Sequence, residues 1–198
     1  MQISWFGYGS FRLQNDGTSL ITDPVETAFS FSINRQGADI VVASNPDSDP
    51  ASAISGSPFV IKGPGEYEVK SIFVHGIPAG GRVVYAITID DIAIAFLGGA
   101  RLKDIGAAQL EVLEGSDILI VPVGGGSVAS AKDAVELINQ IEPRIVIPSY
   151  YKISGSKGLD SVDVFLKEYS APREDVEKLK LHRRDLPQED TRVVLLKP

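Results

Sequence analysis

The chain has 198 residues, 43% of them hydrophobic, which is enough to bury a sizeable core without disulfide or metal staples. It has no cysteine and only two histidines, His75 and His182, which excludes disulfides, thiolate metal sites and a multi-histidine zinc centre within one chain. The formal charge of −7 argues against nucleic acid, because affinity for phosphate backbones comes largely from Lys and Arg.

No apolar run approaches the length of a membrane span, and Met1-Gln2-Ile3-Ser4-Trp5 lacks the basic and then apolar regions of a signal peptide. These features and the missing cysteines lead us to expect one domain over residues 1–198, cytoplasmic and away from membranes. In chain order, Gln2 to Phe6, Ser10 to Leu13 and Ser19 to Thr22 are short β-prone runs. The Asn15-Asp16-Gly17 turn between the last two is a hairpin signal, so the chain opens with an antiparallel meander. Asp23-Pro24 closes the third run with a carboxylate at its end, and Val25 to Gln36, without clear period, reads as loop.

The strand Asp39 to Ala43 runs into the polar octet Ala43-Ser44-Asn45-Pro46-Asp47-Ser48-Asp49-Pro50. Side-chain oxygens at a strand end sit where layered α/β proteins usually place function. A short helical turn, Pro50 to Ser55, follows, with Asp49 placed to cap it. Phe59 to Ile61, Glu66 to Val69, Ile72 to His75, Val83 to Ile89 and Ile92 to Leu97 read as strands, mostly in hairpins. The second half alternates: a helix from Lys103 to Glu114, a buried strand Ile118 to Val121, a helix with its apolar face from Val128 to Ile141, and a strand Arg144 to Pro148. Helices over Leu159 to Tyr169 and Arg173 to Leu181 then precede a last strand, Arg192 to Leu196. The second of these ends in the basic cluster Lys178 to Arg184, where His182 would face the negative pole of the helix. Hairpins first and βαβ units later predict two stacked mixed sheets between helical layers.

Several stretches carry a family resemblance: Trp5-Phe6-Gly7-Tyr8-Gly9-Ser10-Phe11, Leu20-Ile21-Thr22-Asp23-Pro24, Gly63-Pro64-Gly65-Glu66-Tyr67-Glu68, Val121-Pro122-Val123-Gly124-Gly125-Gly126 and Ile145-Val146-Ile147-Pro148. Together they resemble the metallo-β-lactamase fold, in its small bacterial and archaeal hydrolase-like branch. The resemblance implies a four-layer αββα sandwich and a dinuclear metal site at the sheet edges that activates water against esters, amides or phosphodiesters. It also implies a His-x-His-x-Asp-His motif, which falls on Asn45, Pro46, Asp47, Ser48, Asp49 and Pro50 and retains only the carboxylate of Asp49. Further ligand positions fall on Tyr8, on Gly99 in place of a bridging aspartate, and on Tyr150; one more has no counterpart in Ala79-Gly80-Gly81-Arg82.

The residues left at these positions, Tyr8, Asp23, Asn45, Asp47, Asp49 and Tyr150, form the candidate vestigial pocket. Two readings stand side by side. In one, the site is catalytically degenerate: Asx side chains bond loop amides, tyrosine rings fill the vacated volume, and the protein is a non-catalytic binding or assembly module. In the other, Asp23, Asp47 and Asp49 hold Mg²⁺ or Mn²⁺ through oxygen and hydrolyse a phosphate or carboxylic ester. Neither zinc nor another cofactor is expected under the first. The expected partner is a small molecule or a protein, with self-association left open. Gly124-Gly125-Gly126-Ser127 has some likeness to a phosphate loop but lacks its Lys-Ser/Thr ending.

Overall fold

The computed structural model describes residues 1–24 and 37–198, so the loop expected at Val25 to Gln36 lies outside the described residues. The opening meander forms as expected from β1 (Gln2–Trp5), β2 (Phe11–Gln14) and β3 (Ser19–Thr22), all antiparallel. Asn15 fixes its tight turn, because Oδ1 accepts the N–H groups of Gly17 and Thr18. Next come β4 (Ile40–Val42) and β5 (Phe59–Ile61), each parallel to its predecessor in the sheet. The expected helical turn between them is a 3₁₀ turn at Pro50–Ala53.

A second sheet begins with the antiparallel ribbon β6 (Gly65–Val69), β7 (Ile72–Ala79), β8 (Arg82–Ile89) and β9 (Ile92–Phe96). It continues in parallel through β10 (Ile118–Pro122) and β11 (Ile145–Ser149), which are buried at every position. Helices α1 (Ala107–Leu113), α2 (Ala131–Ile141) and α3 (Val162–Glu168) lie in this half of the chain. α2 buries Ala134, Leu137, Ile138 and Ile141 on one face. Each helix is shorter than its apolar pattern predicted because a cap intervenes. Gly106 separates α1 from a 3₁₀ turn at Leu102–Asp104, Ser130 and Asp133 form a reciprocal capping box at α2, and Ser161 caps α3.

One expectation fails outright. Arg173 to Leu181 is not a helix but two strands, β12 (Arg173–Val176) and β13 (Lys178–Lys180), which join different sheets. β12 runs parallel to the last strand, β14 (Arg192–Leu196), whereas β13 pairs antiparallel with β1. Leu179 and Leu181 are buried while Lys178 and Lys180 are exposed, a period of two that outweighs the helix propensity of Glu, Lys and Leu. His182 therefore sits at no helix C-terminus. It precedes a 3₁₀ turn at Arg183–Asp185, and its N–H is held by the Asp185 carboxylate.

The finished architecture is the expected sandwich of two mixed sheets with flanking helices, ordered β13-β1-β2-β3-β4-β5 and β12-β14-β11-β10-β9-β8-β7-β6. One buried cluster joins Ile3, Phe11, Leu13 and Ile40 of the first sheet to Tyr85, Phe96, Ile120 and Ile147 of the second. Side-chain alternation sends Ile21 and Val41 to the outer face of the first sheet, where Ile54 covers them. Two bonds tie the end of β4 to β8: the Val83 N–H donates to the Ser44 carbonyl at 2.9 Å, and the Tyr85 hydroxyl donates to that of Ala43 at 2.9 Å. Among the described residues no helix is long and apolar enough to cross a membrane.

Candidate functional site

Parallel pairing of β3 with β4 brings their C-terminal ends side by side, so that Asp23 and Ser44 face each other beside the second sheet. The Asp23 carboxylate is the hub. Oδ1 accepts the Ser44 N–H at 2.6 Å, and Oδ2 accepts the Ser44 hydroxyl at 2.6 Å and the Tyr150 hydroxyl at 3.1 Å. Close approach is possible because two neighbours lack side chains. A Cβ at Gly98 would lie 2.3 Å from that of Ser44, and a Cβ at Gly9 would lie 2.6 Å from the Tyr150 ring. Tyr8 meets Tyr150 edge to face with ring centres 6.0 Å apart, and the Trp5 indole N–H donates to the Tyr8 carbonyl at 3.0 Å.

The backbone singles out the same place. Eight non-glycine residues among those described have positive φ. Lys70-Ser71 and Asp90-Asp91 are two-residue hairpin turns, and Glu142 is the left-handed C-cap of α2. The other three, Tyr8 at 50°, Asp23 at 34° and Tyr150 at 49°, all line one cavity. Left-handed tyrosines are costly, and such conformations persist where surrounding bonds overdetermine them. Burial raises the pKa of Asp23 above its ordinary value, opposed by the bonds from Ser44 and Tyr150 and by the nearby Arg82 charge. Burial, reinforced by the Asp23 charge, pushes the Tyr150 phenol well above its usual range, so it stays protonated and donates.

The cavity measures about 200 Å³. Tyr8, Asp23, Asn45 and Tyr150 of the sequence-derived set line it, whereas Asp47 and Asp49 do not and are exposed at the tip of the octet. Asn45 Oδ1 accepts the Asp47 N–H at 3.1 Å, an Asx turn, and the Ser48 hydroxyl donates to the Asn45 carbonyl at 2.6 Å. The Asp49 carbonyl accepts the Ser52 hydroxyl at 2.8 Å. Tyr151 packs instead on Trp5, with ring centres 4.8 Å apart. Five lining residues lie outside that set: Pro24, Ser44, Ser48, Pro50 and Arg82. Arg82 opens β8 directly after the Gly80-Gly81 turn, and a tight Gly-Gly turn delivering a cation to a strand end was the available signal. In the Gly124 to Ser127 loop the Gly125 N–H is taken by the Ala129 carbonyl, and α2 starts beyond it at Ala131.

This donor set does not fit a catalytic metal. Among the described residues the cavity lining contains no imidazole, and its one carboxylate already accepts three hydrogen bonds. The remaining oxygens are hydroxyls, phenols and an amide, and a guanidinium stands beside them. Among the described residues no group of three or more His, Cys, Asp or Glu is placed to hold an ion.

A family model described as a beta-lactamase superfamily domain matches residues 2–150. Over its full length the chain is 30% identical to a Thermotoga maritima protein described as a candidate zinc-dependent hydrolase of the metallo-β-lactamase superfamily, with all of both chains covered and a TM-score of 0.85. It is 26% identical to a UPF0173 protein of Pyrococcus abyssi, covering 87% of this chain and 92% of that one. The metallo-β-lactamase fold protein YhfI of Bacillus subtilis, 11% identical, covers 99% of this chain and 96% of its own at a TM-score of 0.67, which shows the fold alone.

Proposed function

Because the chain belongs to the metallo-β-lactamase superfamily, we propose that it keeps the scaffold of a metal-dependent hydrolase but serves as a metal-free, non-catalytic binding module. The observation that carries this reading is the state of Asp23. A ligand carboxylate must offer a lone pair to an ion, and the Asp23 oxygens face the Ser44 N–H, the Ser44 hydroxyl and the Tyr150 hydroxyl. The network works as a structural clamp that joins β3, β4 and the end of β11. On this reading the partner is a small molecule or a protein rather than nucleic acid or a membrane. Assays of phosphodiester, carboxylic ester and lactam cleavage, with and without added Zn²⁺, Mn²⁺ or Mg²⁺, test it. The expected result is turnover no greater than that of Asp23→Ala; metal-dependent turnover abolished by Asp23→Ala would refute it.

Kinship with proteins described as hydrolases favours a second reading, an esterase whose Mg²⁺ or Mn²⁺ is held by Asp23, Asp47 and Asp49. The exposed positions of Asp47 and Asp49 weigh against it. Metal-dependent turnover that disappears in Asp49→Ala would decide in its favour.

A further inference from the structure

We propose that Arg82 is the ligand-binding group of this pocket and that it holds the oxyanion of a small acid, a carboxylate or a phosphate. This inference rests on the reading of the pocket as metal-free. The Gly80-Gly81 turn, with φ of 57° and 82°, places Arg82 at the start of β8, and its guanidinium rests against Gly99. A Cβ at Gly99 would lie 3.3 Å from Arg82 Cζ and 3.5 Å from Nη1. A side chain at position 99 would compete for the space that the guanidinium uses. In the family pattern a bridging aspartate belongs at that position; here a fixed positive charge fills the place beside it.

The charge is available. Among the described residues no hydrogen bond or ion pair takes up the Arg82 guanidinium, and its acidic neighbour Asp23 is already bonded to Ser44 and Tyr150. One other lining group points the same way: Asn45 Oδ1 is spent on the Asp47 N–H, which leaves its Nδ2 as donor. Arg82 and the Asn45 amide thus offer N–H donors to an anion. Arg82 also lines an adjoining hollow of about 310 Å³ together with Arg101 and Lys103. Asp104, the acid of that hollow, accepts the Arg101 N–H. In a chain of net charge −7, three cations meeting at one mouth form a local field that draws anions in. A planar guanidinium grips carboxylate or phosphate through two parallel bonds, and a main cavity of about 200 Å³ admits a small acid.

The test titrates inorganic phosphate and, separately, succinate into wild-type protein whose metal content is measured on the same sample. Heat of binding and the arginine Nε–Hε resonances are recorded for wild type, Arg82→Gln and Lys103→Gln. Binding of either probe is expected, with the tighter one naming the acid class. Arg82→Gln should weaken it by about tenfold or more, and Lys103→Gln by only a few-fold. If Arg82→Gln proves unfolded, Gly99→Asp supplies the same loss, because its carboxylate would neutralise the guanidinium at a position with no left-handed φ. Metal-free protein that binds neither probe, or binds as tightly without Arg82, overturns the inference and leaves the metal-free reading intact. Bound metal would overturn that reading instead.

Discussion

The root and the tip of the loop after β4 have similar polar side chains and different fates. At the root, Ser44 is buried and fastened to Asp23, and its carbonyl accepts the Val83 N–H across the sandwich. At the tip, Asp47 and Asp49 are exposed, and their main chain bonds to near neighbours: the Asp47 N–H donates to Asn45 Oδ1, and the Asp49 carbonyl accepts the Ser52 hydroxyl. The family resemblance would place its ligand motif along the tip, from Asn45 to Pro50. Here the root closes a hydrogen-bond network, and the tip is an Asx-rich turn. A buried oxygen must find a partner, whereas an exposed one has water. The left-handed backbone of Asp23 lies at the bonded root, not at the exposed tip.

The contrast can be broken by substitution. The largest effect belongs to Gly98→Ala, whose Cβ would strike Ser44 at a φ of 53°; a loss of roughly 2–4 kcal/mol in urea unfolding is expected. Asp23→Ala comes next, at about 2–3 kcal/mol, because the Ser44 amide, the Ser44 hydroxyl and the Tyr150 hydroxyl would lose their acceptor. Either variant unfolding like wild type would remove the root from the account.

The pH dependence sharpens the same contrast. Burial raises the pKa of Asp23 above 3.8, so the folded state holds that proton more tightly than the unfolded chain does. The contribution is full below 3.8 and is lost as pH rises through the folded-state value. Wild type should therefore lose stability relative to Asp23→Asn as pH climbs through that window. Asp39 runs the other way: its bond from Lys70 and that from the Ser19 N–H lower its pKa, so its support is present above 3.8 and fades as pH falls through the folded value. Exposure keeps that second effect small. The smallest effect is predicted at the tip, where Asp47→Ala and Asp49→Ala should each stay within about 0.5 kcal/mol by thermal unfolding.

Much of the fold was legible because its signals are local. The Asn15-Asp16-Gly17 turn and the apolar runs of β10 and β11 announce themselves within a few residues. The edge strands β12 and β13 did not, since charged side chains on an edge strand have the composition of an exposed helix. Only β13 leaves a trace, in the alternation of Leu179 and Leu181 with lysines. In the site, Asp23, Tyr8 and Tyr150 could be placed from strand ends and family spacing. Arg82 could not, because it reaches the pocket through the pairing of two sheets and the absence of a side chain at Gly99. The division of the octet into a buried root and an exposed tip is likewise invisible in the sequence from Ala43 to Pro50.

The most direct measurement is elemental analysis of the protein, expressed with zinc, manganese and iron supplied and purified without chelator. Far less than one equivalent of any of them per chain is the predicted result. A full equivalent that disappears in Asp23→Ala would contradict the account, because it would mean that the Asp23 oxygens serve an ion rather than Ser44 and Tyr150.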